Sequence, residues 1–122
     1  MKGDKIVNNI NEKSIIYKFF DKINIRINLS QSEIHEIDKL TYLIQVTSLM
    51  MGYTYQYFSH NKEHTLIFTK NKKHYYYRIF KNNDDNVVRI KVDDSYWTKK
   101  DIYNGLNFID SLKKFYQQLI NA

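Results

Sequence analysis

YTYQYFSHNKEHTLIFTKNKKHYYYRIFK, residues 53–81, reads as three β-strands joined by two polar turns. β-Branched and aromatic side chains dominate it, and these pack well on a pleated, half-buried surface. The strands fall near 53–59, 64–70 and 73–81, with turns at His60–Glu63 and Asn71–Lys72. A further polar turn, KNNDD at 81–85, leads into a fourth strand, NVVRIKV at 86–92. There Val88, Ile90 and Val92 form a core-like set, and Val87, Arg89 and Lys91 an outward one.

The flanks read as helices. Upstream, Ser30 and Glu33 match a capping box, in which a hydroxyl and a carboxylate satisfy orphan backbone N–H groups. Ile34, Ile37, Leu40 and Ile44 follow at helical spacing, and Gly52 suits the position just past a helix end. The pattern predicts a helix over 31–51. Before it, Ile23, Ile25, Ile27 and Leu29 alternate with polar residues, as in a strand. Residues 11–22 suit a short helix, and residues 1–10 a flexible lead. Downstream, 93–97 is a connector, and Thr98 with Asp101 forms a second capping box. It opens a predicted helix over 99–120 with Ile102, Leu106, Ile109, Leu112, Tyr116 and Leu119 on its buried stripe. Gly105 lies in that stripe, where it permits close helix–sheet approach. Phe108 and Phe115 fall off the stripe and suit either a homodimer seam or the cover of a neighbouring element.

The order (α)-β-α-β-β-β-β-α predicts an α+β two-layer sandwich: an antiparallel sheet of four to five strands with helices on one face. At 122 residues a single domain over 1–122 is expected. The other sheet face is left to solvent or a partner.

Composition narrows the classes. No run of about 18 apolar residues exists to span a bilayer. The N-terminal stretch lacks the apolar core of a secretory signal, and cysteine is absent, so a cytoplasmic protein without disulfides is expected. Ile, Lys, Asn and Tyr make up 56 of 122 residues, while alanine occurs once and proline never. That bias follows AT-rich codons and suits a low-GC bacterium, its phages or plasmids, or an organelle. Codon bias inflates lysine, so the placement of charge says more than its total. Residues 53–81 carry +5 of the net +6, with six of eleven tyrosines and three of four histidines.

Cations beside flat aromatic faces meet phosphates and stack on bases. Alternation along 73–81 puts Tyr75, Tyr77 and Ile79 on one face and His74, Tyr76, Arg78 and Phe80 on the other. Pairing with 86–92 adds Arg89 and Lys91 to the second set, and Lys72 and Lys73 lie at the turn. The candidate binding residues are therefore Lys72, Lys73, His74, Tyr76, Arg78, Arg89 and Lys91. Such aromatics are also ordinary strand formers, and lysines keep sheet edges soluble.

The leading expectation is a small non-catalytic protein that engages nucleic acid or a nucleoprotein through this face, without cofactor or metal. A second is an inhibitor or adaptor directed at a host protein, of the anti-CRISPR or other counter-defence type, with Tyr53, Tyr55, Tyr76 and Trp97 as anchors. The element order resembles that of double-stranded-RNA-binding domains, with Lys99 and Lys100 opening the last helix. Their alanine-rich lysine motif is absent, and one strand is extra. KKHYYYRIF is similar to the aromatic strand of RNA-recognition motifs, whose glycines are missing from 53–92. The architecture also resembles RelE-like ribonuclease toxins, which implies His74, Tyr76 and Arg78 as acid–base candidates and makes a nuclease the third class.

Other motifs are thin. Three glycines cannot build a phosphate loop or a dinucleotide fingerprint. His60 and His64 lie in a turn and strand, in the order H-N-K-E-H, not as two ligands on a helix. Asp84–Asp85 and Asp93–Asp94 read as turn and connector residues, with docking of a basic partner as their other use.

Overall fold

The structure is a computed structural model that describes residues 18–19, 29–84, 87–97 and 107–121. Most of the predicted helix over 11–22 and strand over 23–29 lie outside the described residues, as do Thr98, Asp101 and Gly105.

Helix α1 spans Gln31–Met51. The capping box predicted at its start is formed: Glu33 N–H donates to Ser30 Oγ at 3.2 Å, and Ser30 N–H to Glu33 Oε1 at 3.1 Å. The Ser30 backbone N–H, and after it the Ser30 side chain, hydrogen-bond the ionised carboxylate and hold the Glu33 carboxyl below its ordinary pKa. At the other end Gly52 adopts φ 79°, the left-handed geometry that closes a helix.

Four strands follow in a meander: β1 (Thr54–His60), β2 (Glu63–Lys70), β3 (Lys73–Lys81) and β4 (Val87–Lys91). They pair antiparallel in the order β1-β2-β3-β4. The first turn, predicted over His60–Glu63, is only Asn61–Lys62, because His60 and Glu63 pair as strand ends; the second is Asn71–Lys72 as predicted. In the second, Asn71 (φ 52°) and Lys72 (φ 67°) are both left-handed, as a type I′ hairpin turn requires. A lysine Cβ is strained there, so Lys72→Gly is expected to stabilise the protein by about 1 kcal/mol, read as a rise in urea midpoint.

β3 and β4 pair less regularly. Arg78 faces Lys91 and Phe80 faces Arg89, but Lys81 then faces Val87, which leaves residue 88 over. This extra residue reverses the parity of the strand. Val87, expected outward, packs against the core for that reason, and the side chain of residue 88 lies outside the described set.

The last helix, α2, spans Phe108–Ile120 and does not run unbroken from 99. Asn107 is extended (φ −74°, ψ 170°), and its side chain accepts the Asp110 N–H at 2.8 Å. From this cap the buried positions are Ser111, Leu112, Phe115 and Leu119, with Phe108 and Tyr116 beside them. Phe115, expected off the stripe, is at its centre and cannot form a dimer seam.

The architecture is α+β, with the two helices packed on one face of the sheet. The core joins Leu66, Phe68, Tyr77, Ile79, Ile90 and Val92 of the sheet region to Ile37, Leu40 and Ile44 of α1 and Leu112, Phe115 and Leu119 of α2. Two tyrosines fasten the layers. Tyr53 Oη donates to Leu119 O at 2.8 Å, so Tyr53 is a buried core residue and not an exposed anchor. Tyr77 Oη is hydrogen-bonded to Ser111 Oγ, whose own proton goes to Phe108 O at 2.8 Å. Tyr77 is therefore the donor. Full burial pushes its phenol pKa well up and keeps the proton in place.

Candidate functional site

The strand registers stack the face opposite the helices into rows. Thr54, Thr69 and His74 form one, Gln56, Ile67 and Tyr76 the next, then Phe58, Thr65, Arg78 and Lys91, then His60, Glu63, Phe80 and Arg89. Thus Tyr76, Arg78, Arg89 and Lys91 do share one face, as alternation predicts. His60 and His64 point to opposite faces, because one pairs with Glu63 and the other with Ser59. Among the described residues no group of three or more metal-ligating side chains assembles.

The face is less open than the sequence suggests. Thr65 and Ile67 in the second strand are 4 % and 7 % exposed. Arg78 is heavily committed. Its Nη2 donates to Glu63 Oε1 at 2.6 Å and its Nε to the same oxygen at 3.2 Å. Its Nη1 donates to the carbonyls of Ser95 (2.7 Å) and Asp93 (3.0 Å). The Arg78 side chain is 12 % exposed. Four bonds in a fixed fork leave this guanidinium little to offer a phosphate.

Trp97 organises the rest. Its indole N–H donates to the same Glu63 oxygen, and its ring packs edge-on against Phe80 with centroids 5.9 Å apart. Three cations surround that ring: Arg78 at 4.6 Å from the centroid, Lys91 at 5.8 Å and Arg89 at 5.9 Å. The electron-rich ring face attracts them. Lys91 Nζ also donates to Tyr96 O at 2.8 Å. Arg89 differs. Its guanidinium lies 4.6 Å over Phe80, and its buried Nε finds no acceptor among the described residues.

The connector is folded by Asp93, whose Oδ1 accepts Ser95 N–H (2.9 Å) and Oγ–H (2.6 Å). Burial pulls the Asp93 carboxyl pKa up. The Ser95 bonds and the charges of Lys91 and Arg78 outweigh it and hold the carboxyl below its ordinary value. Around the predicted basic platform, Glu63 and Asp93 therefore already neutralise much of the charge.

The remaining candidates sit towards the β2–β3 turn. Lys72, Lys73 and His74 are exposed, and His74 Nδ1 lies 2.9 Å from Thr69 Oγ1, hydrogen-bonded to it. Tyr76 is half-buried, its ring edge-on to His74 at 6.4 Å.

A second surface stands out on the water side of α1. Met50 is 82 % exposed, Tyr42 54 %, Leu49 50 % and Leu43 39 %. With Val46 they recur at three- and four-residue spacing, opposite the buried Ile37, Thr41, Ile44 and Ser48. The signal was present in sequence: no Asp, Glu, Lys or Arg occurs between Lys39 and Lys62. An apolar run without a polar stripe reads simply as a well-buried helix, so the exposed side passed as core. On β1, Tyr55 and Phe58 are 49 % and 48 % exposed.

No described helix is long and apolar enough to cross a membrane. Comparison with protein-family models, with curated proteins and with solved structures finds no match to this chain.

Proposed function

We propose that this chain is a non-catalytic protein-binding module, an inhibitor or adaptor, that meets its partner through the outward face of α1. The observation that carries this is the apolar set Tyr42, Leu43, Leu49 and Met50, exposed on one helix. Together they expose on the order of 400 Å², a patch size that is often functional on monomers. Charge is depleted at interface cores and aromatics and methionine are enriched, as here. Past Lys39 this helix face carries no charge and offers nothing to a phosphate backbone, so the partner that fits is a protein with its own apolar surface. The internal pairing of Arg78 and Lys91 points the same way.

The test is capture of partner from native-host extract, treated with nuclease and washed in high salt, comparing wild type with Leu49→Lys/Met50→Lys. Both positions face water, so an unchanged circular dichroism spectrum is expected. The recovered protein should fall at least tenfold in the variant. Equal recovery by wild type and variant would remove the α1 face from consideration. Sedimentation of the pure protein covers self-association: a dimer that the double substitution dissolves would make the partner a second copy.

One observation supports nucleic acid as a second reading. Arg89 holds a stacked guanidinium whose buried Nε lacks an acceptor among the described residues, and Lys72 and Lys73 are exposed. On that reading Arg89→Ala with Lys72→Ala and Lys73→Ala flattens the salt dependence of oligonucleotide binding by about three counterion units. Binding of RNA and single-stranded DNA that these changes leave untouched would end it.

A further inference from the structure

A cleft of about 380 Å³ opens where the chain leaves β4, lined by β3 on one side and by Val92, Asp93, Asp94 and Gln118 on the other. Its strand wall has an unused edge. The two-residue turn makes Lys70 and Lys73 a hydrogen-bonded pair, and such pairs alternate along an antiparallel ladder. Tyr75, Tyr77 and Ile79 therefore turn their N–H and C=O groups toward β2. His74, Tyr76, Arg78 and Phe80 turn theirs away from it. β4 takes up Arg78 and Phe80, opposite Lys91 and Arg89, and its pairing stops there. The backbone groups of His74 and Tyr76 are left facing the cleft without a strand partner among the described residues.

The charge of the cleft is opposite to that of the chain. The protein carries +6, yet the residues that line the cleft include Asp93 and Asp94 and no lysine or arginine, and of the two acids only Asp93 is offset by the nearby Lys91 and Arg78. Asp94 has no ion-pair partner among the described residues, and Asp93 is fixed by its bonds to Ser95. Tyr75, Tyr76 and His74 complete the wall. A strand edge satisfies any extended backbone, and flanking side chains choose which one.

We infer that this cleft binds an extended peptide segment of a partner protein, added as a short strand beside His74 and Tyr76, with one Arg or Lys side chain placed against Asp94. Carboxylates and tyrosine rings together suit a guanidinium or ammonium group. Lys72 and Lys73 at the turn disfavour further basic residues at that end, so the motif is a single basic residue and not a basic run. Five residues of strand span about 17 Å, enough to cross the unpaired edge. The site is separate from the α1 face and stands or falls without it.

The experiment uses the whole chain, ¹⁵N-labelled, and the synthetic peptide acetyl-Thr-Val-Arg-Val-Thr-amide. Saturable shifts of the His74 and Tyr76 amides are expected. Affinity should drop at least tenfold when the peptide arginine becomes glutamate, when alternate peptide nitrogens are methylated, or when the protein carries Asp94→Lys. Leu49→Lys/Met50→Lys should bind the peptide as wild type does, whatever becomes of the α1 reading. Three results would overturn the proposal: shifts confined to another surface, an Asp94→Lys protein that binds like wild type, or free arginine amide binding as tightly as the peptide.

Discussion

Phe115→Ala is expected to remove about 4 kcal/mol of stability, on the order of 15 °C in unfolding temperature. Phe115 is fully buried, and its ring meets Phe68 edge-on at 5.4 Å and Tyr77 at 5.6 Å. One side chain thus fastens α2 to both central strands. Truncation forfeits two edge-to-face contacts and leaves a cavity that the flanking β2 and β3 cannot close without breaking their ladder. Domains of this size are stable by roughly 5–15 kcal/mol, so the variant sits near the margin at 37 °C. Phe115→Leu keeps much of the volume and should cost only about 1–2 kcal/mol. Urea titration followed by circular dichroism measures both. If the alanine variant lost under 1 kcal/mol, Phe115 would not be the keystone of the two layers.

Legibility in the sequence followed how local each determinant is. The boundaries of α1 were readable because Ser30, Glu33 and Gly52 act within one turn of the helix ends. The β2–β3 hairpin was readable because Asn71–Lys72 leaves eight alternating pairs in register. The α2 stripe was phased from Ile102 and Leu106, beyond the break at Asn107. The described helix takes its own phase from the Asn107 cap, and that phase places Phe115 in the core. Asn107 and Asp110 have the spacing of a cap, a local signal that the longer predicted helix overrode. The bulge that turns Val87 inward has no glycine or proline to announce it. The candidate face was legible as a set of side chains on one side of a sheet. Their availability was not, because it depends on Glu63 and Trp97, which lie 34 residues apart in the chain.

Glu63→Ala should cost about 2–3 kcal/mol and expose Trp97. A single carboxylate oxygen accepts three N–H groups, two from Arg78 and one from the indole. Without it the guanidinium stays largely buried with its charge uncompensated. Breaking one partner of such a pair costs more than replacing both. Arg78→Met in the same chain is therefore expected to restore at least 1 kcal/mol, a coupling that a double-mutant cycle measures directly. Trp97 is the only tryptophan, so its emission reports the rearrangement without a label. A red shift in Glu63→Ala, partly reversed by Arg78→Met, is the expected pattern. The same pair separates the two readings of the open face. If the fork of Arg78 is structural, freeing it by Glu63→Ala raises affinity for single-stranded DNA at low salt, while Arg78→Met alone leaves that affinity near wild type. If Arg78 already contacts a phosphate in the native protein, Arg78→Met alone lowers it. An unchanged emission maximum and an unchanged urea midpoint in Glu63→Ala would mean that this carboxylate does not hold the connector over the sheet. The platform of Tyr76, Arg78, Arg89 and Lys91 would then be available after all.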